Sequence, residues 1–169
     1  LRAAKWSDGR PVTAEQVVLS FRRLLAPAGR SPLKPLFGRI VNAPQVASGR
    51  LPPRALGISA PVSNVVEIRL SAPTPELLQL LALPDATVRR SGSAAPVNGA
   101  FLPDTGDTAA PGQLRFKRNA DFHGADSVKL GALNLTATPD PTAAVARFTR
   151  AAADVVVGGS GAFRLTEAV

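Results

Sequence analysis

Cysteine, methionine and tyrosine are absent from this 169-residue chain, and histidine and tryptophan occur once each. Without cysteine there is no disulfide framework, no thiolate metal site and no cysteine nucleophile. A zinc site built on His123 alone would lean on carboxylates for the rest of its ligands, which zinc sites rarely do. No run approaches the roughly 18 apolar residues of a membrane-spanning helix. The opening residues, LRAAKWSDGR, hold no hydrophobic signal segment and no initiator methionine, so they read as a mature or excised start. Acidic residues are also scarce, 12 against 20 basic ones, for a formal net charge of +8. The imbalance sits in residues 1–90, with 13 basic and 5 acidic side chains, whereas 91–169 hold seven of each. From Gln16 to Val66 there are seven basic residues and no acid. Such a stretch can mark nucleic-acid or anionic-surface binding, or it can be an ordinary solvated face. Here the charges are scattered between prolines and no tyrosine offers a stacking platform, so nucleic acid is not the expected partner. A basic nucleic-acid- or anionic-surface-binding domain stands as the alternative function.

What is present is the material of one ordinary domain or two very small ones. The apolar fraction of 45% includes 29 alanines, and Leu, Ile, Val and Phe together number 46. Glycine and proline supply 30 residues, so the elements must be short and often interrupted. Thr13 and Gln16 form a capping-box spacing ahead of Val17, Val18, Phe21, Leu24 and Leu25, with Arg22 and Arg23 facing water and Pro27 and Gly29 as stops. Residues 26–64 form a proline-punctuated excursion with a short helix within 39–47. VVEIRL (65–70) alternates as a strand, a helix spans 76–83 up to Pro84, and 85–90 is a further weak strand. Residues 97–102 are extended, 103–112 connect a hairpin, and 113–119 and 128–138 are strands. Pro141 opens a helix to Arg150 with Val145 and Phe148 inward, and DVVV (154–157) reads as a buried strand. The mixture predicts an α/β, or mixed α+β, sheet.

No nucleotide-binding glycine signature, zinc-protease helix or nucleophile elbow occurs. Gly158–Gly161 lacks the lysine and following helix of a phosphate cradle and reads as a turn. Asp104 with Asp107, and Asp121 with Asp126, lie in turn sequences where aspartate satisfies its own backbone. His123 reads as an exposed loop residue, and Trp6 as the anchor of the polar turn that follows it. No catalytic residue, metal ligand or cofactor is expected, and the chain reads as no enzyme.

The strings themselves then resemble a known family. WSDGRPVTAEQVVLSFRRLLAP (6–27) looks like the signature of the extracellular solute-binding proteins of family 5, the peptide, oligopeptide and nickel receptors of ABC importers. The likeness continues in order through 47–60, VVEIRLSAPTPELLQLLALP (65–84), VNGAF (97–101), FKRNADFHGADSVKLGALNL (116–135) and 142–157, covering about 5–160. Ala120, His123 and Ala151 depart from the residues usual there, as do Leu33, Leu36 and Phe37 from the aromatics expected around them.

The resemblance implies an incomplete periplasmic-binding-protein-like type II lobe, with a basic part of the first lobe at 1–90, a neutral hinge-proximal part at 91–169, and a second lobe absent. It implies the substrate-binding component of an ABC transporter, taking up peptides and working with permease subunits. The location implied is periplasmic or extracellular, with any lipid anchor upstream of Leu1. The ligand-lining candidates are Asn98, Gly99, Ala100 and Phe101: glycine for close backbone approach, Phe101 for an apolar wall.

Overall fold

Thr13 leads into the first helix, α1 (Ala14–Leu25), in the computed structural model, which describes residues 1–90, 96–104 and 112–157. Thr13 is extended at the N-cap and forms the expected capping box with Gln16. The Ala14 N–H is satisfied by the Ser63 carbonyl at 2.8 Å. The helix stops because Ala26 precedes Pro27 and is held extended, and the Lys34 ammonium donates to the Ala26 carbonyl left over at the helix end. Arg23 faces solvent as expected, but Arg22 does not. It lies four residues after buried Val18 and so borders the apolar stripe, with its Nε enclosed and unpartnered among the described residues.

The chain forms two compact units, one of residues 1–100 and 119–128, the other of 101–118 and 129–169. In the first unit the buried face of α1 meets the excursion. Phe21 stands edge-on to Phe37 with ring centroids 5.6 Å apart, and Ile40, Ala43, Val46, Leu56 and Ile58 close the core. The short helix α2 (Ala43–Ala47) falls within the expected 39–47, with Pro44 in its first turn. The strand β1 (Ile58–Val62) is a feature that the sequence reading leaves inside the excursion. It pairs antiparallel with β2 (Val65–Ile68), and the register slips between Ser59 and Val62, where Pro61 needs no partner for its missing N–H. Gly57 lies against both neighbours: a Cβ there would sit 2.7 Å from the Val41 Cβ and 3.1 Å from the Arg69 carbonyl.

α3 (Leu77–Leu81) falls within the expected helix. Residues 85–90 are not a strand. Pro84–Ala86 form a 3₁₀ turn, and the Arg89 backbone is then taken by the Ser20 hydroxyl of α1 rather than by a sheet neighbour.

In the second unit β3 (Phe101–Pro103), β4 (Gln113–Arg118) and β5 (Ala132–Thr136) form an antiparallel sheet in that order. The hairpin between β3 and β4 holds, with its centre, 105–111, outside the described residues. Leu114 pairs with Leu135 and Phe116 with Leu133, so the four share one face. α4 (Pro141–Thr149) starts on Asp140, whose carboxylate accepts from the Thr142 N–H at 2.9 Å. Its Val145 and Phe148, expected inward, are 40% and 53% exposed. Residues 154–157 form no strand, and Val155 and Val157 are exposed. In both places the apolar pattern is real, but no element of the same unit covers it among the described residues.

Candidate functional site

Residues 5–11 form a closed turn that the sequence marks with its one tryptophan. Lys5 pairs with Pro11, the Trp6 N–H reaches the Arg10 carbonyl at 2.8 Å, and Gly9 takes φ +78°, which suits glycine. Trp6 is 1% exposed, and its indole N–H donates to Gln16 Oε1 at 2.9 Å. The same oxygen accepts from the Thr13 N–H at 3.0 Å, so one side chain ties the turn to the helix start.

Asp8 accepts from Arg90 at 2.6 Å, and that guanidinium lies 5.9 Å from the Trp6 ring centre. Loss of hydration pushes the Asp8 carboxyl up. The Arg90 hydrogen bond, the Arg10 N–H and both guanidinium charges outweigh it and hold the carboxyl below its usual range.

Ser7 connects this turn to the predicted ligand segment. Its N–H donates to the Val97 carbonyl at 2.7 Å, and its hydroxyl accepts from the Val97 N–H at 3.1 Å. On the far side stands Asn119, 1% exposed. Its amide Nδ2 donates to the Gly99 carbonyl and its backbone N–H to the Ala100 carbonyl, both at 2.8 Å, while Oδ1 accepts from the Asp121 N–H at 3.0 Å. The clamp therefore consumes the carbonyl oxygens of Gly99 and Ala100. No described residue accepts from the N–H groups of Asn98, Gly99 or Ala100.

Gly99 itself is exposed, its φ lies outside the left-handed region, and a Cβ added there would meet open space. Neither backbone conformation nor packing among the described residues requires a glycine at this position. Phe101 is half buried at the start of β3, opposite Arg118. The structure thus brings Asn98, Gly99 and Ala100 together in the first unit and places Phe101 in the second.

Ser7 and Asn119 are the residues that sequence reading missed. Ser7 was visible only as part of a turn, and Asn119 only as the end of a strand. Their partners lie 90 and 20 residues away, so no local signal could name them.

Elsewhere, His123 is exposed, its ring tilted 54° to that of Phe122 with centroids 4.4 Å apart. Asp104 is 3.8 Å from Lys117, while Asp107 and Gly158–Gly161 lie outside the described residues. Among the described residues no group of three or more potential metal ligands occurs. A surface cleft of about 610 Å³ on the first unit is lined by residues including Lys5, Thr13, Asn64, Asp121 and His123, and by none of 97–101. No described helix is long and apolar enough to cross a membrane.

The profile of the bacterial extracellular solute-binding proteins, family 5 Middle, matches residues 1–167. The periplasmic oligopeptide-binding protein OppA of Salmonella typhimurium is 38% identical over 86 residues, 50% of this chain and 16% of that protein. Among solved structures, Listeria monocytogenes OppA bound to peptide aligns with a TM-score of 0.72 and 26% identity, covering 88% of this chain and 32% of that one. The pheromone receptor PrgZ aligns with a TM-score of 0.79 and 24% identity, covering 89% and 32%. The chain therefore spans a sixth to a third of the length of these proteins. Its fold is that of part of a type II solute-binding lobe.

Proposed function

The chain belongs to the bacterial extracellular solute-binding proteins of family 5, and from that premise we propose that its function is to bind peptide as part of the receptor of an ABC importer. The observation that carries this reading is that the N–H groups of Asn98, Gly99 and Ala100 have no acceptor among the described residues, while Asn119 occupies the Gly99 and Ala100 carbonyls and Ser7 holds Val97. Free main-chain donors suit the carbonyl oxygens of an extended peptide. Recognition through the main chain tolerates any side-chain sequence. The open space at Gly99 lets a ligand backbone approach closely.

In this reading a second lobe closes over the peptide and presents the receptor to permease subunits, outside the cytoplasmic membrane. The chain supplies binding geometry and no catalytic group.

The test is an amide-resolved titration of the 169-residue chain with trialanine. The Asn98, Gly99 and Ala100 N–H resonances are expected to shift downfield and saturate at about millimolar peptide, as one wall of a site should give. Saturable shifts confined to other residues, or none at all, overturn the reading.

A further inference from the structure

The uncompensated charge of the first unit has a definite place in the fold. The ion pairs among the described residues join Asp8 to Arg10 and Arg90, and Asp104 to Lys117. None involves a basic residue between Gln16 and Val66. Lys34 is occupied at the end of α1 and Arg22 is half buried, but Arg23, Arg30, Arg39, Arg50 and Arg54 are exposed. Two of the loops that carry them meet: a Cβ on Gly49 would touch Pro27 at 3.4 Å, which sets the turn before Arg50 against the loop leading to Arg30. The 3₁₀ turn Lys34–Phe37, which packs on α2, then holds Leu36 out at 46% exposure, three residues before Arg39. No exposed aromatic ring accompanies them, since Trp6, Phe21 and Phe37 are all buried.

Exposed guanidinium groups, an exposed leucine three residues from one of them, and no exposed ring in 1–90 for a base to stack on match the boundary between phosphate headgroups and acyl chains better than a nucleic acid. We infer that this face docks the protein on a membrane surface rich in anionic phospholipid, with the arginines on lipid phosphates and Leu36 at headgroup depth. The site is separate from 97–100, so docking and peptide binding stand or fall independently.

The test is flotation of the 169-residue chain with vesicles of mixed phosphatidylglycerol and phosphatidylcholine, beside vesicles of phosphatidylcholine alone. Binding is expected only to the anionic vesicles and is expected to weaken steeply with salt. The double variant Arg30→Gln/Arg39→Gln should partition roughly 30-fold less (about 2 kcal/mol), from the usual contribution of a surface arginine near anionic lipid. Leu36→Ser should lower partitioning several-fold without changing the salt slope, and Arg147→Gln in α4 should leave it unchanged. Circular dichroism of each variant verifies that it is folded. Equal binding to both vesicle types, no binding to either, an unaffected double variant, or preferential capture by duplex DNA at the same salt each overturns the inference.

Discussion

Replacing Asn119 separates the role of its side chain from that of its backbone. Asn119→Ala removes the donor to the Gly99 carbonyl and the acceptor for the Asp121 N–H, but keeps the backbone bond to Ala100. Gly99 and Asp121 are exposed and can turn to water, so each lost bond should cost its net value of about 1 kcal/mol. The void left by a side chain 1% exposed adds a comparable amount, for a total of about 3 kcal/mol. Asn119→Asp is nearly isosteric and keeps the acceptor for Asp121, but sets a buried carboxylate against the Gly99 carbonyl. Its folded pKa must therefore rise above the unfolded one. The folded state then binds the proton more tightly, so this variant should be least stable at neutral pH and recover as pH falls through the raised value. Urea melts followed by the fluorescence of Trp6 measure both, with the slope m checked for constancy. A loss below about 0.5 kcal/mol in Asn119→Ala, or an Asn119→Asp chain as stable at pH 7 as the parent, refutes the clamp.

Four further outcomes follow from the geometry. Gln16→Ala should cost about 3 kcal/mol by leaving the buried Trp6 N–H and the Thr13 N–H without their acceptor, while Gln16→Glu keeps an oxygen there and should cost under about 1 kcal/mol, both by urea melt. Gly99→Ala should leave stability within about 0.5 kcal/mol yet weaken the trialanine shifts, whereas Gly57→Ala should destabilise by about 2 kcal/mol because its Cβ meets that of Val41. Asp8 has a depressed folded pKa, so its contribution is present above the ordinary carboxylate value and fades as pH falls through the lower, folded one. Asp8→Asn should flatten that acid limb in melts taken at a series of pH values.

Local signals accounted for what is local. Thr13, Gln16 and Pro27 delimit α1 because capping and proline sterics act within a turn, and Pro141 starts its helix for the same reason. β1 escaped because Pro61 argues against a strand unless the register slip that accommodates it is known. The valines of 154–157 and the Val145–Phe148 stripe were legible as apolar, but apolarity states a need for cover without supplying it. For the site, the segment 97–101 came from the resemblance to a family. The residues that set its hydrogen bonding came only from the fold, because pairs 90 and 20 residues apart leave no trace in a window of sequence.

The bond between Ser7 and Val97 also has a kinetic meaning. It closes a loop of about ninety residues, and chain closure over that length is slow to be rewarded because the entropy is lost before the contact forms. The segment 97–100 can take its shape only once folding of the chain between Ser7 and Val97 has brought the two ends near each other. It should therefore be the last part of the first unit to order and the first to open, a local fluctuation short of global unfolding. Hydrogen exchange at the Val97 amide should then outpace that of the α1 interior, so that the order of the segment is set by how often this one latch is shut.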